Sequence, residues 1–181
     1  MEDVTITFYC CEERPHICGT GSGITASGRC VTPYVSCAVD PAVIPLGSTI
    51  MIEHKALYTQ KSEVPDDPEF MIPWGKGRVF REGKDCTIIA THTYVKKSLD
   101  AAEELAKEGI DCEVIDPRTL VPLDIDLLSS SVKKTGRCVV VHEAHRTCGV
   151  GAEISSQLYE QAFCYLDAPI ERLGAKQCPL P

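Results

Sequence analysis

A chain of 181 residues, 44% of them hydrophobic, is long enough to bury a core as one domain with a small appendage. A formal charge of −8, with no basic run longer than two residues, argues against nonspecific nucleic-acid binding, whose phosphates demand a basic face. The start MEDV has no leader pattern and no stretch is long enough to span a bilayer, so the eleven cysteines are expected mainly as free thiols in a cytoplasmic protein.

Composition divides the chain near Ile52 and Glu53. Residues 1–52 hold five cysteines with two basic and five acidic side chains, whereas residues 53–181 hold sixteen basic and twenty-one acidic ones. The shift predicts a small β segment over 1–52, a lead-in over 53–79 and an α/β domain over 80–181.

In the first segment, residues 5–10 alternate like a strand, residues 37–40 run into the turn-rich PAVIPLG, and residues 48–52 form a further strand. The run GTGSG at 19–23 has no following GK[ST] and no surrounding βα unit, so it reads as a turn. Cys10, Cys11, His16 and Cys18 are candidate metal ligands, although the paired CxxC spacing of zinc ribbons is absent; disulfides compete if the segment is exported. The segments TFYCCEERPHICGTGSGITASG and VSCAVDPAVIPLGSTIMI resemble the N-terminal half of the three-aspartate (3D) domain, a six-stranded double-psi β-barrel of cell-wall lytic and germination-related proteins. The resemblance aligns Asp40 with the first signature aspartate. The later DTGGAI-like stretch does not follow, so Asp40, the one catalytic candidate, is expected to serve as a turn or barrel hydrogen-bonding residue.

Beyond the join, residues 86–91 are β-branched and apolar and predict a strand. Val95, Leu99, Ala102 and Ala106 then fall at helical spacing, with Thr93 as the expected cap and Gly109 as the left-handed exit. The unit repeats as strand 112–116, the connection PRTLVPL and a helix capped by Asp124 and closed at Gly136. It repeats again as strand 137–142, a glycine turn at 149–151 and a helix over 152–163. Three βα units predict a mainly parallel sheet covered by helices.

Within HEAHRTCG, His142 and His145 are three residues apart and do not make an HExxH zinc helix. Glu143 and Arg146 follow the apolar strand run, and Gly149 and Gly151 can permit close chain approach. Cys148, beside Arg146 and near a helix start, is the candidate reactive thiol. Cys86, Cys112, Cys138 and Cys164 read as small buried hydrophobes.

The stretch from IPWGKGRVFREGKDCTIIATHTYVKKSLDAAEELAKEGIDCEVIDPRTLVPLD through KKTGRCVVVHEAHRTCGVGAEI to YLDAPIERLGA closely resembles the C-terminal domain of the thiamine-diphosphate-dependent 2-oxo acid dehydrogenase beta subunit, a domain shared with transketolases. The resemblance covers about residues 53–181 and implies a three-layer α/β fold, self-association and pairing with an alpha subunit. It places Glu143 and Arg146, with Gly149 and Gly151, at a strand's carboxyl edge in roles of subunit contact and loop order, with direct substrate contact as the alternative. In that family other domains hold thiamine diphosphate and magnesium. Here no Gly-Asp-Gly with a following Asn occurs, nor the half that carries the activating glutamate, so no cofactor is expected on this chain alone. The family's final helix and its acyltransferase-docking terminus are likewise expected to be missing. The function this implies is a non-catalytic assembly module of a pyruvate, other 2-oxo acid or acetoin dehydrogenase. A cell-wall hydrolase and a recombined fragment without selected function are the alternatives.

Overall fold

A computed structural model describes Thr7, Phe8, Cys37, Ala38, His54, Leu57, Asp66, Asp67 and residues 69–176. The chain divides into two compact units, Met1–Ile52 and Glu53–Pro181. In the first, β1 (Thr7–Phe8) and β2 (Cys37–Ala38) pair antiparallel, with Thr7 opposite Ala38 and Phe8 opposite Cys37. Asp40, Cys10, Cys11, His16 and Cys18 lie outside the described residues, as do residues 48–52.

The second unit is a five-stranded sheet formed by β3 (Arg78–Arg81), β4 (Cys86–Ala90), β5 (Cys112–Asp116), β6 (Cys138–His145) and β7 (Glu171–Ala175). The strands lie side by side in the order β3-β5-β4-β6-β7. Only β3 runs antiparallel to its neighbour; the other three pairings are parallel. The strand β4 is central because its alternating side chains are covered on both faces, with Ile88, Ile89 and Ala90 all buried.

One face carries α1 (Thr93–Lys107), which turns Val95, Ser98 and Ala102 inward and packs over Ile88, Cys112 and Val114. On the other, α2 (Ile125–Thr135) and α3 (Val150–Ala162) close the larger core of Ile89, Ile115, Leu128, Val132, Val140, Ile154 and Leu158. The result is the expected three-layer α/β domain with a mostly parallel sheet and three helices.

The helix ends follow local chemistry. Asp124 caps α2 by accepting from the Leu127 amide, and its carboxylate also accepts from the Gly77 amide at 3.1 Å, tying the approach to β3 onto the helix start. Gly136 and Gly109 leave α2 and α1 at φ 69° and 84°, a region open to glycine without steric cost. Thr93, expected as a cap, is instead the first residue of α1. His92 occupies the cap position without a side-chain hydrogen bond, and the Thr93 hydroxyl donates to Glu143 at 3.4 Å.

Three further differences from expectation are visible. The strand β3 begins ahead of residue 80. The strand β6 continues past His142 to His145. Cys164 sits in the one-turn 3-10 segment Phe163–Tyr165 and is exposed, so it is no core hydrophobe; Cys112 and Cys138 are buried and Cys86 is half-buried.

Under α2 the core is polar but satisfied. The buried Thr87 hydroxyl meets Ser131 Oγ at 2.6 Å and Thr135 Oγ1 at 2.8 Å. Beside them the Glu113 carboxylate, 2% exposed, pairs with the Lys134 ammonium. Burial acts to raise the Glu113 pKa, and the hydrogen bonds from Lys134 and Ser131 outweigh it and hold the group below the usual carboxylate range.

Candidate functional site

The chain starts its parallel sheet at β4, moves outward to β5, then crosses back to β6 on the other side of β4. The direction of winding reverses there. In open α/β sheets the crevice outside the carboxyl ends of the strands at such a switch point is where ligands bind. In this unit it lies between the end of β4 and the end of β6.

Among the described residues, three other than glycine have φ between 50° and 60°: His92 at 52°, Arg118 at 58° and Cys148 at 55°. Each follows the carboxyl end of a strand: β4, β5 and β6 respectively. This left-handed backbone costs roughly 1–3 kcal/mol per residue and persists where the surroundings over-determine it, which marks that edge of the sheet as its specialised one.

Glu143 organises the crevice. Along β6 successive side chains point to opposite faces, so Val139, Val141 and Glu143 face the α1 side while Cys138, Val140 and His142 face α2 and α3. On its side, the Glu143 carboxylate pairs with His54 Nε2 at 2.9 Å and accepts from the Thr93 hydroxyl. The His54 and His92 rings lie with centroids 6.1 Å apart, tilted by 43°. Asp116, at the end of β5, has its pKa raised by burial, against the opposing effects of the Arg118 amide, the Arg118 charge and His92. The arrangement sets an imidazole and a carboxylate in hydrogen-bonding contact and can present both to a polar group entering the crevice.

His142 is the counterpart on the opposite face. It is 2% exposed, and among the described residues neither ring nitrogen has a hydrogen-bond partner. Burial lowers its pKa; the Ala144 backbone opposes that and the Arg172 charge adds to it. Glycines form its walls. A Cβ added at Gly151 would lie 2.4 Å from His142 Nε2, one at Gly149 2.7 Å from Cε1 and one at Gly174 3.1 Å from Cε1. A Cβ at Gly149 would meet the His145 carbonyl oxygen before this imidazole, whereas at Gly151 the imidazole is the nearest group.

Arg146 pairs with Glu171 at 3.5 Å, and its carbonyl accepts from Arg172 Nη1 at 3.3 Å, so the end of β6 is tied to β7. Cys148 is exposed in the turn before α3. Among the described residues no three His, Cys, Asp or Glu side chains gather as a metal-ligand set, and no helix is long and apolar enough to cross a membrane. Of the residues singled out from sequence, the structure brings Glu143 into the crevice and sets Arg146, Cys148, Gly149 and Gly151 along the β6–α3 connection. It adds His54, His92, Asp116 and His142. The only sequence signal for His92 and Asp116 was their position at strand ends.

Such a sheet, with its antiparallel edge strand and the crossing at β4, defines an α/β domain class, and sequence comparison gives it a family. Residues 75–181 match the family described as transketolase, C-terminal domain, and the chain belongs to that family. It is 45% identical over 135 residues to the mitochondrial pyruvate dehydrogenase E1 component subunit beta of Dictyostelium discoideum, a match covering 73% of this chain and 38% of that protein. It is 48% identical over 133 residues to the pyruvate dehydrogenase E1 component subunit beta of Staphylococcus epidermidis, covering 73% and 41%. Among solved structures, a split gene transketolase described as an inactive beta4 tetramer superposes with a TM-score of 0.55 at 34% identity, covering 64% of this chain and 38% of the other. The chain thus spans about two-fifths of the length of the curated relatives it matches.

Proposed function

We propose that the Glu53–Pro181 unit is a non-catalytic assembly domain of the pyruvate dehydrogenase E1 beta type, joining copies of itself and an alpha subunit. The observation that carries this reading is a set of exposed large apolar side chains close together in sequence, in the lead-in and β3. Phe70, Met71, Ile72, Trp74 and Phe80 are 51%, 82%, 55%, 51% and 42% exposed. Large apolar side chains left exposed favour an interaction that covers them, because burial gains about 25 cal/mol per Å². Glu143, Arg146, Gly149 and Gly151 keep the carboxyl edge ordered and contribute loop order and subunit contact.

On this reading the chain binds no thiamine diphosphate by itself, since its 181 residues contain no Gly-Asp-Gly magnesium-diphosphate motif. Residues 4–52 are read as the first half of a three-aspartate barrel, supported by GITASG and AVDPAVIPLGS, with Asp40 in a hydrogen-bonding role.

Light scattering on the purified chain tests the assembly reading. A mass that rises with concentration, together with retention of a co-expressed E1 alpha subunit, is expected, and both should be lost in Met71→Asp/Trp74→Ala. A monomer at all concentrations that retains no alpha subunit would overturn it. Calorimetry with thiamine diphosphate and magnesium should show no saturable heat, and incubation with peptidoglycan should release no muropeptides from wild type or Asp40→Asn.

A further inference from the structure

The parallel sheet brings two thiols together at the end opposite the crevice. Cys86 opens β4 and Cys112 opens β5, and the two are direct partners in the strand register. Parallel neighbours in one register lie about 4.8 Å apart, inside the Cα separation of about 4.4–6.8 Å that a disulfide spans. Both side chains point to the same face: Cys112 belongs to the core under α1, and Cys86 packs against that core. Cys138, at the start of β6, belongs to the opposite core and is not part of the pair.

The two thiols differ in access. Cys112 is buried, whereas Cys86 is half-buried at the rim. An attacking sulfur has to be reachable and a resolving one has only to be adjacent, so the structure assigns distinct roles.

We propose that Cys86 and Cys112 form a peroxide-sensitive dithiol that closes to a disulfide linking β4 to β5. The Cys86 thiolate attacks one oxygen of a hydroperoxide, breaking the O–O bond and leaving a sulfenic acid, with water or an alcohol as the reduced product. Cys112 sulfur then attacks the Cys86 sulfur; the S–S bond forms and the sulfenic oxygen leaves as water with the Cys112 proton. Two thiols together lose two electrons and the peroxide gains them. Burial, with the neighbouring Cys112, raises Cys86 to about 11, and Arg137 opposes the shift. The thiolate is therefore scarce at neutral pH, so closure is slow there and accelerates as pH rises toward that value. Because the pair lies at the amino ends of the strands, closure leaves the His54–Glu143 contact at the carboxyl ends untouched.

The test uses the full chain treated with hydrogen peroxide at pH 7 and at pH 9, alkylated under denaturing conditions and digested with trypsin. Cleavage after Lys84, Lys96, Lys107 and Arg118 isolates each cysteine on its own peptide. The expected product is residues 85–96 joined to 108–118, lighter by about 2 Da than the two thiol peptides together, formed faster at pH 9. In Cys112→Ser the cross-link should vanish and a dimedone adduct should appear on Cys86. The mapping on unmodified protein stands even where that variant does not fold. Recovery of both peptides as alkylated thiols after Cys148 has been oxidised, or linkage of Cys86 to any other cysteine, would overturn the proposal.

Discussion

The two ends of the same strands are built on different rules. At the amino ends, Cys86, Thr87, Cys112 and Cys138 are small, covered or half-covered, and the charged groups Glu113 and Lys134 are paired. At the carboxyl ends three residues hold left-handed backbone, a buried imidazole has no partner among the described residues, and a histidine far away in sequence joins a carboxylate. One edge holds the sheet together, and the other stores strain and titratable groups. A parallel sheet concentrates such features at its carboxyl edge because every βα turn emerges there.

The largest test of this asymmetry is Gly151→Ala. Helix propensity alone favours alanine, but the added methyl would meet His142 Nε2 at 2.4 Å, so a loss of about 2 kcal/mol is expected by urea unfolding. In a His142→Ala background the same change should cost much less, since contacting residues are not additive. A neutral or stabilising Gly151→Ala would remove the glycine cage from the account.

Asp124→Ala comes next. It removes an N-cap and the acceptor for the Gly77 amide together, and a loss of about 1–1.5 kcal/mol is expected, with faster amide exchange at Gly77. Unchanged exchange at Gly77 would show that the approach to β3 is held by other contacts.

The pH dependence of stability is a smaller effect with a definite sign. The folded pKa of His142 lies below its unfolded value near 6.5, so the unfolded chain binds this proton more readily. Stability from this group is complete above pH 6.5, declines as pH falls through that value, and stops declining below the depressed folded pKa. His142→Leu should lose less stability than the wild type between pH 7.5 and pH 5.5, by under about 1 kcal/mol, measured from chemical unfolding at both pH values. Equal losses in the two proteins would mean that the imidazole is not held neutral by the fold.

Glu143→Gln is the mildest. Its contact with His54 is partly exposed, so a global change of about 0.5 kcal/mol is expected. The informative readout is local: proteolysis within residues 55–68 should accelerate. No change there would place the lead-in's attachment elsewhere.

The elements with strong local signals were legible in the sequence. The apolar run of β4, the inward Val95, Leu99 and Ala102 of α1, and the Asp124 and Gly136 boundaries of α2 required no distant partner, whereas Ala106, expected inward, is exposed and Ser98 is buried. The edge strands β3 and β7 were not recognised, because RVFR and ERLGA are half-exposed and lack a covered face to enforce alternation. The extension of β6 to His145 was hidden for a related reason: its last residues are polar, and pairing with β7 at Ala175 follows a register shift. Within the site, Glu143 and Arg146 stood out through their position after an apolar run. His54 did not, since its partner lies 89 residues away and no spacing rule connects them.

The hydroxyl group of Thr87 carries a consequence for how the domain avoids wrong structures. An apolar seam between α2 and β4 could be satisfied by several helix rotations, because oil-like contacts are nondirectional. Three buried hydroxyls that meet only when Ser131 and Thr135 face Thr87 admit one. Turning α2 by a single residue would strand the Thr87 hydroxyl at about 1–3 kcal/mol, so the triad functions as a key that selects one docking angle over its near neighbours.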